Sequence, residues 1–257
     1  MPLSARYPSL QGRSVLISGG ATGIGADFVA QFHAQGSRVA FVDRDVAAGD
    51  ALAARLFIDA EGRTRPLFIP CDVTDIDALR RAIDAARATH GPIRVLVNNA
   101  ANDQRKAVAD VTPAFWDDAV AVNLRHQFFA AQAVAPDMAA AGGGSIINLG
   151  SISWMVKGAG YPAYATCKAA IQGLTRSLAR DLGQHNIRVN AIAPGWVMTE
   201  RQLAMWVDAE AERTMDANQC LPGRLKPEHI SAMALFLASD DAGMCTAQSY
   251  VVDAGWS

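Results

Sequence analysis

Apolar residues in this chain fall into short runs bounded by turn-forming residues, and between the runs lie longer stretches with apolar positions every three or four residues. The short runs are Ser14-Val-Leu-Ile-Ser18, Arg38-Val-Ala-Phe-Val42, Arg65-Pro-Leu-Phe-Ile69, Val95-Leu-Val97, Ser145-Ile-Ile-Asn-Leu149, Ile187-Arg-Val-Asn-Ala-Ile192 and Tyr250-Val-Val252. Runs this short, rich in β-branched residues, read as strands buried on both faces. The longer stretches predict a helix through Phe28, Val29 and Phe32, then helices over Ala47–Ala60, Asp75–Thr89, Ala114–Ala140, Ala163–Leu182, Glu200–Ala217 and Glu228–Leu237. Strands that alternate with helices pair in parallel through crossovers, so the expectation is an α/β fold: a Rossmann-type, doubly wound parallel sheet of seven strands with helices on both faces. No internal repeat, low-complexity tract or linker interrupts the pattern, and Gly142-Gly-Gly144 is only long enough for a turn. Residues 1–257 therefore read as one domain.

Two local patterns carry chemistry. The first strand runs straight into Gly19-Gly-Ala-Thr-Gly23-Ile-Gly25 and then a helix, the arrangement that sets a pyrophosphate against free backbone N–H groups. Gly19 permits the tight turn, Gly23 lets the backbone approach the phosphates, and Gly25 allows close helix packing. The spacing also suits a plain strand-to-helix turn, but the second strand ends at Asp43, where an acidic side chain meets the adenosine ribose. The second pattern is Tyr164-Ala-Thr-Cys-Lys168, which puts a phenol and an ammonium on one helix face. A nearby cation stabilises a phenolate and brings a phenol of reference pKa about 10 toward neutrality, where it takes a proton from an alcohol. Taken alone, the same spacing far more often marks a solvated lysine beside a half-buried tyrosine.

Composition narrows the partners. A length of 257 residues with 51% hydrophobic residues supplies a substantial core. A net charge of −2 without a Lys/Arg cluster argues against nucleic acid. The N-terminus lacks an apolar signal core and no stretch reaches membrane-span length, so the expectation is a cytoplasmic protein with no membrane partner. Cys71, Cys167, Cys220 and Cys245 have neither metal-ligand spacing nor a disulfide framework, which predicts reduced thiols and no metal site.

Ser18-Gly-Gly-Ala-Thr-Gly-Ile-Gly25, Asn98-Asn-Ala-Ala101, Asn123, Ser151, Tyr164 with Lys168, and Pro194-Gly195 with Thr199 stand in the order and spacing of the classical short-chain dehydrogenase/reductase family, which the chain resembles from about Ser14 to its end. Ser18 replaces the family's usual Thr, Ala101 its usual Gly, and Cys167 the Ser usual before the lysine. The resemblance implies a catalytic set of Asn123, Ser151, Tyr164 and Lys168. It implies NAD held by Gly19, Thr22, Gly23, Ile24, Gly25, Asp43, Arg44, Asp72, Val73, Asn99, Ala100, Tyr164, Lys168, Pro194, Gly195, Val197 and Thr199. In this reading Lys168 lowers the Tyr164 pKa and meets the nicotinamide ribose, Ser151 holds the substrate oxygen with Ser153 as its rival, and Asn123 organises a proton-relay water. From spacing alone Asn123 bends or caps a helix, and Asp72 serves either as a cap before Thr74-Asp75 or as a contact to adenine. Arg44, directly after Asp43, offers a clamp for the 2′-phosphate of the phosphorylated cofactor. The largely apolar helix carrying Tyr164 implies, with the resemblance, a homotetramer, or at least a homodimer.

For the substrate, polar residues and indoles flank the reaction site: Asn102 through Arg105, Trp154 after Ser153, and Trp196, Gln202, Trp206 and Gln219. Hydrogen-bonding groups mixed with flat aromatics suit a polyhydroxylated ring. Asn98-Asn-Ala-Ala-Asn-Asp, Leu149-Gly-Ser-Ile-Ser-Trp154, Gln219-Cys-Leu, Gly223-Arg and Asp253-Ala-Gly-Trp-Ser are similar to the aldose 1-dehydrogenase branch of the family, especially its bacterial D-xylose-oxidising members. That implies oxidation of the anomeric hydroxyl of a free aldose to an aldonolactone, D-xylose first, then L-arabinose, D-galactose or L-fucose, with Asn102, Ser151, Ser153, Trp154, Tyr164 and Trp196 against the sugar. The rivals are a carbonyl reductase of the 3-oxoacyl-carrier-protein type, for which Asp43 and the near-neutral charge are unsuited, and a non-catalytic nucleotide-binding regulator.

Overall fold

The computed structural model describes residues 3–58 and 64–257. Among these, seven strands form one wholly parallel sheet: β1 (Ser14–Ser18), β2 (Arg38–Asp43), β3 (Leu67–Pro70), β4 (Val95–Asn98), β5 (Gly144–Leu149), β6 (Ile187–Pro194) and β7 (Ser249–Val252), in the order β3-β2-β1-β4-β5-β6-β7. The helices are α1 (Gly23–Ala34), α2 (Val46–Ile58), α3 (Ile76–His90), α4 (Pro113–Val120), α5 (His126–Ala140), α6 (Pro162–Leu182), α7 (Glu200–Met205), α8 (Ala209–Asn218) and α9 (Pro227–Ala238). None of the described helices is long and apolar enough to cross a membrane.

The apolar runs become strands because alternate side chains are buried on opposite faces. Val15, Ile17 and Phe41 join Phe28, Val29 and Phe32 of α1 and Leu235 of α9 in one core. Leu16, Ala40, Val42 and Leu96 join Leu79, Ile83 and Ala86 of α3 and Val134 and Met138 of α5 in the other. Strand order reverses between β1 and β4, so a crevice opens beyond their carboxyl ends, where loops from both halves of the sheet meet.

The end of the second helix expected from the sequence, at Ala60, lies outside the described residues. Three other elements differ from the expectation. β3 begins at Leu67 rather than Arg65, since Pro66 has no N–H for the ladder. The stretch Ala114–Ala140 is two helices joined by a π-helical segment, Ala121–Arg125, with Asn123 inside it. There the Asn123 Nδ2 donates to the Ala119 carbonyl at 2.9 Å, an alternative partner for a helix carbonyl at the point where the register widens. Glu200–Ala217 is also two helices, because Asp208 accepts from Glu210 N at 3.0 Å and Ala211 N at 2.8 Å and so starts a new one.

The π segment leads into His126, which is fully buried. Its Nε2 lies 3.0 Å from the Ala100 carbonyl, an acceptor, so the proton is on Nε2. Burial drives its pKa down to about 4, with the charge of Lys168 adding to the effect against the opposing hydrogen bonds to the Ala100 and Val122 backbone. The unfolded chain, with histidine near 6.5, takes up the proton first as pH falls. The contribution of His126 to stability is therefore expected to decline from about pH 6.5 and level out below about pH 4, by at most about 3 kcal/mol. Denaturant unfolding across this range should show His126→Gln losing less stability than the wild type, and parallel curves would contradict the assignment.

Candidate active site

The glycine turn is built by close approach. Gly19 has φ +65°, and a Cβ there would lie 2.7 Å from Ala100 Cα; a Cβ on Gly25 would lie 1.8 Å from the Gly19 carbonyl oxygen. The Asn99 Nδ2 clamps this turn, donating to the Ser18 carbonyl at 3.0 Å and the Gly19 carbonyl at 2.8 Å. In return the Ser18 hydroxyl accepts from Asn99 N at 3.0 Å and Ala100 N at 3.1 Å, so serine makes the contacts that a threonine hydroxyl would make here. Asn98 turns the other way, into a buried network in which its Nδ2 donates to Asn148 Oδ1 at 2.9 Å and the Asn148 Nδ2 to Thr175 Oγ1 at 3.0 Å.

Asp43, at the end of β2, receives Ala21 N on Oδ2 and Asp45 N on Oδ1, each at 3.0 Å. Asp72 Oδ1 accepts from Thr74 N at 2.9 Å and Thr74 Oγ1 at 2.7 Å. Burial pushes its carboxyl up, but these bonds and the Arg44 guanidinium outweigh it and hold the group below the ordinary carboxylate value. Asp75, not Asp72, caps α3, by accepting from Ala78 N at 2.9 Å.

Gly19, Gly25, Asp43, Asp72 and Asn99 line one end of a cleft of about 1120 Å³, together with Thr22, Ile24, Arg44, Val73, Ala100, Pro194, Gly195, Val197 and Thr199. Gly23 lies just behind the wall, where its Cβ would meet Thr199 Cγ2 at 3.3 Å. A backbone cradle that side chains would fill, at a helix N-terminus and beside a strand-end carboxylate, fits a dinucleotide.

Tyr164, Lys168 and Ser151 line the other end. Lys168 is only 2% exposed; its Nζ donates to the Leu149 carbonyl at 2.7 Å and lies 5.5 Å from the centroid of the Tyr164 ring. The phenol does not show the lowering expected from its lysine neighbour. Burial raises it well above its ordinary value, the charge of Asp103 adds to this, and a hydrogen bond to Ser151 opposes it. The reason is geometric: the ammonium lies against the ring and is held by the Leu149 carbonyl. Lys168 itself is brought down to about 8 by burial, with Cys167 and Asp103 opposing. The protein alone thus favours a neutral phenol, beside a lysine whose charged form burial disfavours.

Besides Gly23, two expected site residues are not in the wall. Asn123 is fully buried behind it, where Oδ1 accepts from Asn102 N at 2.9 Å and Nδ2 donates to Asn102 O at 3.1 Å, so it fixes the loop that carries Asn102 into the cleft. Trp154 is 39% exposed and stands outside the cleft, which corrects the expectation of an indole platform at that position. It ends a single 3-10 turn, Ile152–Trp154, whose tight winding points successive side chains in different directions. Ser153 takes the wall instead, its Oγ buried and without a hydrogen-bond partner among the described residues.

Other wall residues have no local motif. Trp196 Nε1 donates to Gln202 Oε1 at 2.9 Å, and Gln202 Nε2 to Asp103 Oδ2 at 2.6 Å, which joins α7 to the loop after β4. Arg105 stacks 4.0 Å from the Trp206 ring centroid and 5.9 Å from that of Tyr161, itself edge-on to Tyr164. Trp256, from the C-terminal tail, lies against Trp196. Indole and amide residues within a few positions of Pro194 were a usable signal for Gln202; Asp103, Tyr161 and Trp256 come together only through the fold.

Comparison with known proteins agrees with this geometry. Residues 19–257 match a family model described as enoyl-(acyl carrier protein) reductase. The chain is 48% identical over 253 residues to D-xylose 1-dehydrogenase of Caulobacter vibrioides, covering 98% of this chain and 99% of that protein. It is likewise 48% identical over 252 residues to the probable galactose dehydrogenase GalD of Rhizobium meliloti, covering 98% of each. A solved 7α-hydroxysteroid dehydrogenase, complexed with NADH and 7-oxo glycochenodeoxycholic acid, superposes with a TM-score of 0.92 at 31% identity, covering 97% of this chain and 96% of that one. With this fold, this glycine turn and matches over nearly its whole length, the chain belongs to the short-chain dehydrogenase/reductase family and is an oxidoreductase.

Proposed function

We propose that this protein oxidises the anomeric hydroxyl of a free aldose, D-xylose first, to the aldonolactone, with NAD as cofactor and Tyr164 as the general base. The observation that carries the reading is that Tyr164 and Ser151 line one cleft together with a buried Lys168, in a wall whose remaining polar residues include Asn102, Asp103, Ser153 and Gln202. Relatives named for xylose and galactose support the substrate class.

The glycine turn, Asp43 and Asp72 would hold the adenosine half, and Thr199 with the Pro194–Val197 segment the nicotinamide half. When bound, the oxidised cofactor supplies the hydride acceptor and a positive charge near the phenol. Ser151 holds the sugar oxygen, and Tyr164 takes the proton from the anomeric hydroxyl as the C–H bond breaks. Tyr164 does this as the phenolate, which the Lys168 ammonium and the cofactor charge would stabilise; Lys168, lowered to about 8 by burial, can in its neutral amine form then accept the proton from the new phenol. Asn123 keeps the Asn102 loop in place.

The assembly we propose is a cytoplasmic homotetramer, with a homodimer as its smallest unit. Support comes from α6, where exposed Thr166, Ala170 and Ser177 accompany Gly173, which has nothing within 4 Å of its Cβ position, while Trp116 and Phe128 are exposed on α4 and α5. Sedimentation as a monomer would overturn it.

A panel of free pentoses, hexoses and deoxyhexoses with NAD tests the reaction: reduced cofactor and lactone should appear together, most efficiently with a pentose, and inactivity across the panel would refute the substrate class. Tyr164→Phe should lower kcat by at least about a hundredfold while cofactor affinity stays within a few-fold, because the proton acceptor alone is removed; a rate within tenfold of wild type would refute Tyr164 as base. For the cofactor, Asp43 accepts ribose hydroxyls and repels a 2′-phosphate, while exposed Arg44 attracts one. Asp43→Ser should therefore cut the kcat/KM ratio of NAD to NADP by about tenfold or more, and an unchanged ratio would show that Asp43 does not set the preference.

A further inference from the structure

The loop that leaves β4 puts a carboxylate into the reaction end of the cleft. The Asp103 side chain is 27% exposed, and its two oxygens are held separately: Oδ2 accepts from Gln202 Nε2 at 2.6 Å, and Oδ1 lies 3.3 Å from Arg201 Nη2. The amide is not free to flip. The Trp196 indole N–H can only donate, so the atom it meets at 2.9 Å is the Gln202 carbonyl, and the amide NH₂ faces Asp103. One indole, one amide and one guanidinium thus aim a single carboxylate. A carboxylate has about four lone-pair sites, of which these partners use two, leaving about two for donors inside the cleft.

Two further observations place those sites at the substrate. The charge of Asp103 raises both the Tyr164 phenol and the Lys168 ammonium, so the carboxylate lies within electrostatic reach of the reacting end. Ser153, on the same wall, has a buried hydroxyl with no partner among the described residues, as a wall shaped for a hydrogen-bonding ligand would have. A neutral polyol supplies O–H donors to a carboxylate; a sugar phosphate or uronate brings a like charge against it.

Resting on the aldose reading above, we propose that Asp103 is the specificity-determining residue: its free lone pairs accept hydrogen bonds from ring hydroxyls other than the anomeric one, while the same carboxylate, through Gln202 and Arg201, holds α7 over the sugar. An epimer that turns one of those hydroxyls away leaves the carboxylate short of a donor, and unpaired polar groups in a substrate pocket discriminate strongly.

The test measures kcat and KM for D-xylose and its 2-, 3- and 4-deoxy analogues, with NAD, in wild type and Asp103→Asn. For D-xylose the substitution should lower kcat/KM by about ten- to a hundredfold, mainly through KM. At least one deoxy analogue, already poor in the wild type by a similar factor, should be affected less than about threefold, because the hydroxyl that Asp103 reads is gone. An equal loss on all four sugars would mean that Asp103 only latches α7 and would overturn the proposal, as would no loss on any. Asp103→Glu, which moves the carboxylate without removing it, should reorder the epimers D-xylose, D-ribose and L-arabinose; an unchanged order would also overturn it. Failure of the wild type to oxidise any aldose would remove the aldose reading itself, an outcome distinct from turnover with uniform sensitivity.

Discussion

The cleft depends on a contact with no room in it. The Gly19 carbonyl oxygen occupies the space that a side chain on Gly25 would need, and the Gly19 Cα faces Ala100 just as tightly. That approach brings the end of β1 against the loop after β4 at the place where strand order reverses, and Asn99 and Ser18 tie the two backbones together from both sides. Every cleft residue on the loops after β1 and β4 inherits its position from this seam. Asn123 extends it by one layer, because a side chain inside a widened helical turn pairs with both polar backbone atoms of Asn102. The π segment costs regular helix geometry and gains a fixed loop at the substrate.

Electrostatics at the other end run against the simplest expectation for a tyrosine and lysine on one helix face. Burial wins over charge pairing: it raises the phenol, lowers the ammonium, and leaves the protein without cofactor holding its proton on Tyr164. In the proposed reaction a positive charge brought beside the phenol by the cofactor would shift this balance toward the phenolate. The charge of Asp103 acts in the opposite sense on the same phenol, so a hydrogen-bond donor that screens it would ease formation of the phenolate.

What was legible in the chain follows from how local the signal was. Strands buried on both faces left uninterrupted apolar runs, and the seven runs proved to be the seven strands among the described residues. Helical joints were not legible where one extra residue preserved the apolar rhythm, as at Ala121–Arg125, or where a surface aspartate restarted a helix, as at Asp208. The glycine turn, Asp43, Tyr164 and Lys168 were visible because spacing along the chain fixes their neighbours, and Ser151 through the family resemblance; Gly19, Gly25, Asp43, Ser151, Tyr164 and Lys168 line the cleft. The Asp103–Gln202 pair spans 99 positions and exists only after β4 and β6 have been placed in one sheet. Trp154 failed for the complementary reason, since adjacency to Ser153 says nothing about direction in a tight turn.

The central proposal is that the reacting carbon is the anomeric carbon of a free sugar, and isotope transfer tests it directly. Purified enzyme is incubated with NAD and D-xylose carrying deuterium only at C1, and the reduced cofactor is examined by proton NMR. Deuterium at nicotinamide C4, on one face and in amounts equal to the lactone formed, is the predicted result. Reduced cofactor without deuterium would mean that oxidation occurs at another carbon and would contradict the account.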